Sequence, residues 1–270
     1  MKYALITGAA KGIGKAIAAE MILRNYNLLL VDIDEKGLAI TKERLNKTFN
    51  NSIHILQLDL SNPDCAAIIK EWSKPYHQQL DVVINNAGYG LNGPFEKLSI
   101  DEQLNIIDVN VKAQLKICHA FIPLLKQFPR AWLLNVGSTT CYQSVPYLAI
   151  YAASKALVIS FTRSLRYELR NSNISVSCLS PGSTDTNFVD RARMGDSIRK
   201  TAKRYNMTAE QVAKTAVKGL FRGKAEIVPG FTNKLNAFLP KFFPKTFVEK
   251  IAGSIYEPKE TTQPKVEALA

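Results

Sequence analysis

The sequence predicts an α/β protein: one doubly wound parallel sheet of about seven strands with helices on both faces. Three observations carry that expectation. Short apolar runs alternate with longer segments of helical period through residue 180, without hairpin signals between neighbouring runs. Runs such as "NLLLVD" at 27–32 are apolar at nearly every position, as a strand covered on both faces requires. The chain has 270 residues, 46% of them hydrophobic, which suffices for one large core.

Taken in order, residues 3–6, 28–31, 53–58, 81–84, 132–136 and 174–179 read as strands. Segments 12–24, 35–48, 62–73, 101–126 and 151–171 have helical period between them. A single domain over 1–256 is expected. The remainder, 257–270, is polar and carries prolines, the composition of a disordered tail.

Several classes are excluded or disfavoured. The first residues run directly into an apolar strand, with no basic leader and cleavage site, and no apolar run reaches a membrane-spanning length. Cys65, Cys118, Cys141 and Cys178 lie far apart, and His54, His77 and His119 form no ligand pattern. These features predict a cytoplasmic protein in a reducing compartment, with no structural metal. The net charge of +12 is uneven: residues 1–190 hold 19 Lys/Arg against 16 Asp/Glu, and residues 191–270 hold 16 against 7. The basic part has no recognised nucleic-acid module, so no nucleic-acid partner is expected.

"TGAAKGIG" at 7–14 lies between the first strand and first helix. A phosphate loop ending in Gly-Lys-Ser/Thr is ruled out, because Ala16 follows Gly14-Lys15 and position 9 is alanine. The spacing of Gly8, Gly12 and Gly14 is instead a variant of the dinucleotide fingerprint. Gly8 would permit a sharp turn, Gly12 a close approach to a pyrophosphate, and Gly14 tight helix–strand packing. A bare turn would use the same glycines. Asp32 lies 18 residues beyond Gly14, at the end of the second strand, where a carboxylate can accept from ribose hydroxyls and repel a 2′-phosphate. Lys11 argues the other way, but Ile33 stands where a phosphate site favours arginine. The balance predicts NAD over NADP.

Tyr151 and Lys155 in "YAASK" are four apart at the start of a helical segment, which puts them on one face. An isolated phenol titrates near ~10, and a neighbouring ammonium lowers that value toward usable acid/base chemistry. A surface Tyr–Lys pair is the plain alternative. Ser138 ends the fifth strand, thirteen residues earlier, at the edge where sheet ligands bind.

These pieces, with "LDL" (58–60), "NNAG" (85–88), "VNV" (109–111), "VGS" (136–138) and "SPGSTDT" (180–186), resemble the short-chain dehydrogenase/reductase family from residue 2 to about 230. The resemblance implies a Rossmann-like fold and hydride transfer between a nicotinamide and an alcohol or carbonyl carbon. It implies Tyr151 as proton donor or acceptor and Lys155 as its tuner and ribose ligand. Ser138 would hold the substrate oxygen and Asn110 a proton-relay water. Thr7, Gly8, Lys11, Gly12, Ile13 and Gly14 would bind cofactor together with Asp32, Asp59, Leu60, Asn86, Ala87 and Gly88. Pro181, Gly182, Thr184 and Thr186 would cover the nicotinamide end. A homodimer or homotetramer is implied through the helices at 101–126 and 151–171. A cofactor-binding scaffold without chemistry is the rival reading, against which the complete Asn110, Ser138, Tyr151 and Lys155 set argues.

For the substrate, Ser138, Cys141, Tyr147, Tyr151 and Phe188 are the candidate contacts, with Tyr142 and Val145 adding apolar wall. They predict an apolar alcohol or ketone, with an anionic acyl substrate left open by nearby arginines. Segment 187–207 is expected to act as a lid. Segment 234–251, "KLNAFLPKFFPKTFVEKI", mixes aromatic residues with lysines and is broken by Pro240 and Pro244. It suits an anionic membrane interface, a partner subunit or a wall of the substrate pocket, with packing as the default expectation.

Overall fold

The computed structural model describes residues 1–186, 188–195 and 207–258. The core alternates strand and helix: β1 (Tyr3–Thr7), α1 (Gly12–Ile22), β2 (Asn27–Asp32), α2 (Glu35–Asn46), β3 (Ile53–Gln57), α3 (Cys65–Ser73) and β4 (Leu80–Asn85). It continues with α4 (Ile100–Ile107), α5 (Ala113–Leu125), β5 (Ala131–Val136), α6 (Ala149–Glu168) and β6 (Ile174–Leu179). Then follow β7 (Thr184–Asp185), α7 (Phe188–Arg191), β8 (Met207–Thr208), α8 (Ala209–Phe221), β9 (Glu226–Ile227), α9 (Phe231–Phe238) and α10 (Lys245–Tyr256).

The main sheet has seven strands in the order β3-β2-β1-β4-β5-β6-β9, and every pairing is parallel. Its two-residue periodicity sorts side chains to opposite faces. Ala4, Ile6, Leu28, Leu30, Val82 and Ile84 pack with α1 and α8, whereas Leu5, Leu29, Val31 and Val83 pack with α3, α5 and α6. Both faces are therefore covered, which is why the strands are apolar at consecutive positions. Because β1 pairs with β2 on one side and β4 on the other, the chain reverses its winding there. That opens a crevice at the carboxyl ends of these strands.

Three departures from the sequence expectation have local causes. The seventh strand is only Glu226–Ile227, too short to carry a period. The helix expected from 62 begins at Cys65, because the Asn62 side chain accepts from the Asp64 amide and holds a turn. The helix expected over 101–126 contains a π turn at Asp108–Lys112. Asn110 lies in that turn and is fully buried. Residues 187 and 196–206 of the expected lid, and 259–270 of the expected tail, lie outside the described residues. Among the described residues, no helix is long and apolar enough to cross a membrane.

Candidate active site

The glycine loop uses backbone geometry and close approaches that favour glycine. Gly8 and Gly12 have φ of +66° and +55°, in the left-handed region. A Cβ on Gly14 would fall 2.0 Å from the Gly8 carbonyl oxygen, so α1 rests directly on the end of β1. The first turn of α1 carries no acidic residue and no side-chain cap, in contrast to α2, where Asp34 accepts from the Gly37 amide. Uncapped amides at a helix start, reached over Gly12, are a seat for anionic phosphate. The loop thus fits a dinucleotide.

Asn86 latches this loop to β4. Its side-chain amide donates to the carbonyls of Thr7 (2.9 Å) and Gly8 (3.0 Å). The Thr7 hydroxyl accepts from the amides of Asn86 and Ala87. At the end of β2, Asp32 is held by two backbone donors, Ala10 N–H at 2.9 Å and Asp34 N–H at 3.0 Å. Lys11 forms a 2.6 Å ion pair with Asp34, and this bond is the main reason the Asp34 carboxyl lies below its usual range.

The Tyr–Lys pair sits on the first turns of α6, with both residues buried. Lys155 Nζ donates to the Val136 carbonyl at 2.9 Å and lies 5.9 Å from the centre of the Tyr151 ring. Burial draws the Lys155 ammonium down from 10.5 to about 8. Burial also pushes the Tyr151 phenol up to about 12, opposed by a hydrogen bond with Ser138. Desolvation therefore sets the direction at Tyr151, with the Ser138 hydrogen bond as the opposing contribution and Lys155 bonded instead to the end of β5.

Asn110 acts behind this wall. Its Oδ1 accepts from the Tyr89 amide, and its Nδ2 donates to the Tyr89 carbonyl and to Ser154 Oγ. The π turn aims the amide at these three groups, joining the loop after β4 to α6. A Cβ on Gly88 would meet Asn110 Oδ1 at 2.9 Å and Lys155 Nζ at 3.0 Å.

One cavity of about 570 Å³ brings most of the candidates together. Gly8, Lys11, Gly12, Ile13, Asp32, Asp59, Leu60, Asn86, Ala87 and Gly88 line one end. Ser138, Tyr151, Lys155, Pro181, Gly182, Thr184, Thr186 and Phe188 line the other. Thr7, Gly14 and Asn110 support the wall without lining it. Cys141 and Tyr147, expected as substrate contacts, do not line the cavity. The Cys141 thiol is pushed up to about 12 by burial and lies near Cys178 and Glu226. Tyr147 turns outward at φ +63°, and its hydroxyl donates to Glu257 at 2.9 Å. Tyr142 is likewise diverted, bonding to Glu226.

In their place stand residues the sequence reading did not single out: Tyr89, Asn105, Leu148, Val189, Arg191, Met194 and Tyr256. The Arg191 guanidinium stacks on the Tyr89 ring at 4.6 Å. Tyr256 ends α10, whose last turn is anchored where Asn92 donates to the Tyr256 carbonyl at 2.9 Å. Val189, Arg191 and Met194 fall within the segment 187–207 expected as a lid, whereas no motif marks Tyr256, which reaches the crevice only through the return of α10.

The sequence pattern of the family described as short chain dehydrogenase matches residues 2–197, well over half of the chain. The chain belongs to the short-chain dehydrogenase family. A relative of this dehydrogenase, hydroxysteroid dehydrogenase-like protein 1 of Gallus gallus, is 30% identical over 235 residues, covering 85% of this chain and 68% of that protein. A short-chain dehydrogenase/reductase of Burkholderia phymatum, solved with NAD, matches with a TM-score of 0.80 at 24% identity, over 89% of this chain and 93% of that one. A short-chain dehydrogenase of Sphingobium yanoikuyae, solved with NADPH, matches with a TM-score of 0.79 at 23% identity, over 98% and 99% of the two chains. Identities this low establish a shared fold. The dehydrogenase is an oxidoreductase with an NAD(P) site.

Proposed function

We propose that this dehydrogenase interconverts a large, mainly apolar alcohol and its ketone, with Tyr151 as general acid/base and NAD preferred over NADP. One observation carries the reading. Tyr151, bonded to Ser138 and one turn from Lys155, faces the same cavity as the glycine loop and Asp32. Bound nicotinamide supplies or accepts the hydride. Ser138 Oγ holds the reacting oxygen, and the Tyr151 hydroxyl gives it a proton during reduction or takes one during oxidation. Lys155 fixes the height of α6 against β5 through Val136 and places a cation beside the phenol. Asn110 keeps the loop after β4 at a constant distance from α6.

The NAD preference rests on charge. Asp32 is held facing the cavity by two amides, so it cannot swing away from a 2′-phosphate without losing both bonds. Lys11, the cation that would offset that repulsion, is already neutralised by Asp34. The preference for an apolar substrate rests on Leu148, Phe188, Val189, Met194 and Tyr256 at the far end. The hydroxysteroid name of the Gallus gallus relative agrees with a bulky alcohol. Exposed Ile100 and Leu104 on α4 and Leu157 on α6 support a homo-oligomer formed through these helices.

Fluorescence titration with NADH and NADPH, followed by a panel of steroid, aliphatic and acyl alcohols and ketones, tests the reading. At least tenfold tighter NADH binding is expected, equivalent to about 1.4 kcal/mol. Tighter NADPH binding, or turnover confined to anionic acyl substrates, would overturn the corresponding part.

A further inference from the structure

Nine of the nineteen large hydrophobic side chains that are exposed among the described residues lie between Phe231 and Ile255. They form a surface rather than a scatter. The Phe238 and Phe242 rings meet at a tilt with centroids 4.8 Å apart, and Phe243 lies 5.8 Å from Phe247. Phe247, Ile251 and Ile255 continue the surface at helical spacing along α10. The opposite side of the same two helices is already used. Asn233 of α9 fills the space over Gly182, Ala252 of α10 is buried, and Tyr256 lines the cavity. The exposed ridge is therefore the outer face of helices whose docking onto the domain is complete. Lys234, Lys241, Lys245 and Lys250 accompany it in sequence, against Glu249 alone.

We propose that α9, the Leu239–Phe242 turn and α10 form a docking surface for an anionic lipid bilayer. Aromatic side chains interleaved with lysines match the acyl boundary and the charged headgroups of such a surface. A second copy fits less well, because a two-fold interface sets this face against itself and opposes lysine to lysine. The proposal concerns where the enzyme resides and is independent of its substrate and cofactor.

The test is flotation of the full-length protein with phosphatidylcholine vesicles, with and without phosphatidylglycerol. The expected result is at least about tenfold more protein floating with the anionic vesicles, with the difference lost near 1 M salt, where the Debye length is about 3 Å. Phe242→Ser with Phe247→Ser, and separately Lys245→Glu with Lys250→Glu, should each cut the bound fraction about tenfold while NADH binding stays unchanged. No flotation with anionic vesicles, or undiminished flotation of either double variant, overturns the proposal. So does a smaller oligomer for the phenylalanine pair in sedimentation with lipid binding intact, which would assign the face to a second copy.

Discussion

At the glycine-loop end, the cavity is built from backbone and short side chains set by the ends of β1, β2 and β4. At the Tyr256 end, it is built from large side chains on segments as far apart as residues 89 and 256. The first end is specified by the short motifs at the ends of adjacent strands. Gly14 must be glycine because the Gly8 carbonyl lies under it, and Asp32 is held by the amides of Ala10 and Asp34. The second end has no such local determinant. Leu148 and Tyr256 meet only because α10 returns to the crevice, anchored through Asn92. The difference teaches that recognition of the shared cofactor is written into motifs, whereas recognition of the substrate depends on packing.

Tyr151, where the two ends meet, gives the sharpest way to break this comparison. Tyr151→Phe should lower kcat by about 10³-fold, within the range for general acid/base groups, and leave NADH affinity within about twofold. Steady-state kinetics with fluorescence titration checks it; a variant that keeps wild-type turnover removes Tyr151 from the chemistry.

The next effect is on stability. Below about pH 8, folded and unfolded chains both hold the Lys155 proton, and the fold bears the full cost of burying that charge. Between about 8 and 10.5 the folded chain releases the proton first, so this contribution to stability rises with pH. Lys155→Met should therefore raise the unfolding free energy at pH 7 by about 3 kcal/mol at most, less the lost bond to Val136. The gain should fade by pH 10.5. Urea melts of both proteins at pH 7 and pH 10 measure the difference, in which the titration of Tyr151 cancels. A gain that grows with pH would reverse the assignment.

Asp32→Ala probes the cofactor end alone. Removing the carboxylate should raise NADPH affinity relative to NADH by at least about tenfold, or about 1.4 kcal/mol, without altering the ranking of alcohols. An unchanged ratio of the two dissociation constants would show that Asp32 only caps the turn before α2. The smallest expected effect belongs to the other end. Tyr256→Ala should raise KM for a bulky ketone severalfold, of the order of 1 kcal/mol, with NADH affinity intact. If NADH affinity falls instead, the separation between the two ends fails.

Much of the fold and of the cofactor end was legible in the sequence. Six strands were locatable because burial on both faces leaves consecutive apolar residues, and the seventh was not, because two residues carry no period. Asn110 was marked by the resemblance, yet the π turn that aims it was invisible. Its hydrogen bonds go to Tyr89 and Ser154, both remote in sequence. Cys141 and Tyr147 had suitable chemistry and position along the chain, but Cys141 lies beside Cys178 and Glu226 and Tyr147 bonds to Glu257. Those partners are remote in sequence, so a one-dimensional reading cannot see them.

By itself the sequence determined the sheet, the glycine cradle, the carboxylate at the end of β2 and the Tyr–Lys pair on one helix face. Each of these depends on spacing within one strand, turn or helix. Only the tertiary structure decided that burial raises the Tyr151 phenol, that Asp34 occupies Lys11, and that Tyr256 completes the far wall. Burial, ion pairing and wall composition are properties of groups brought together across the chain, and no local spacing encodes them.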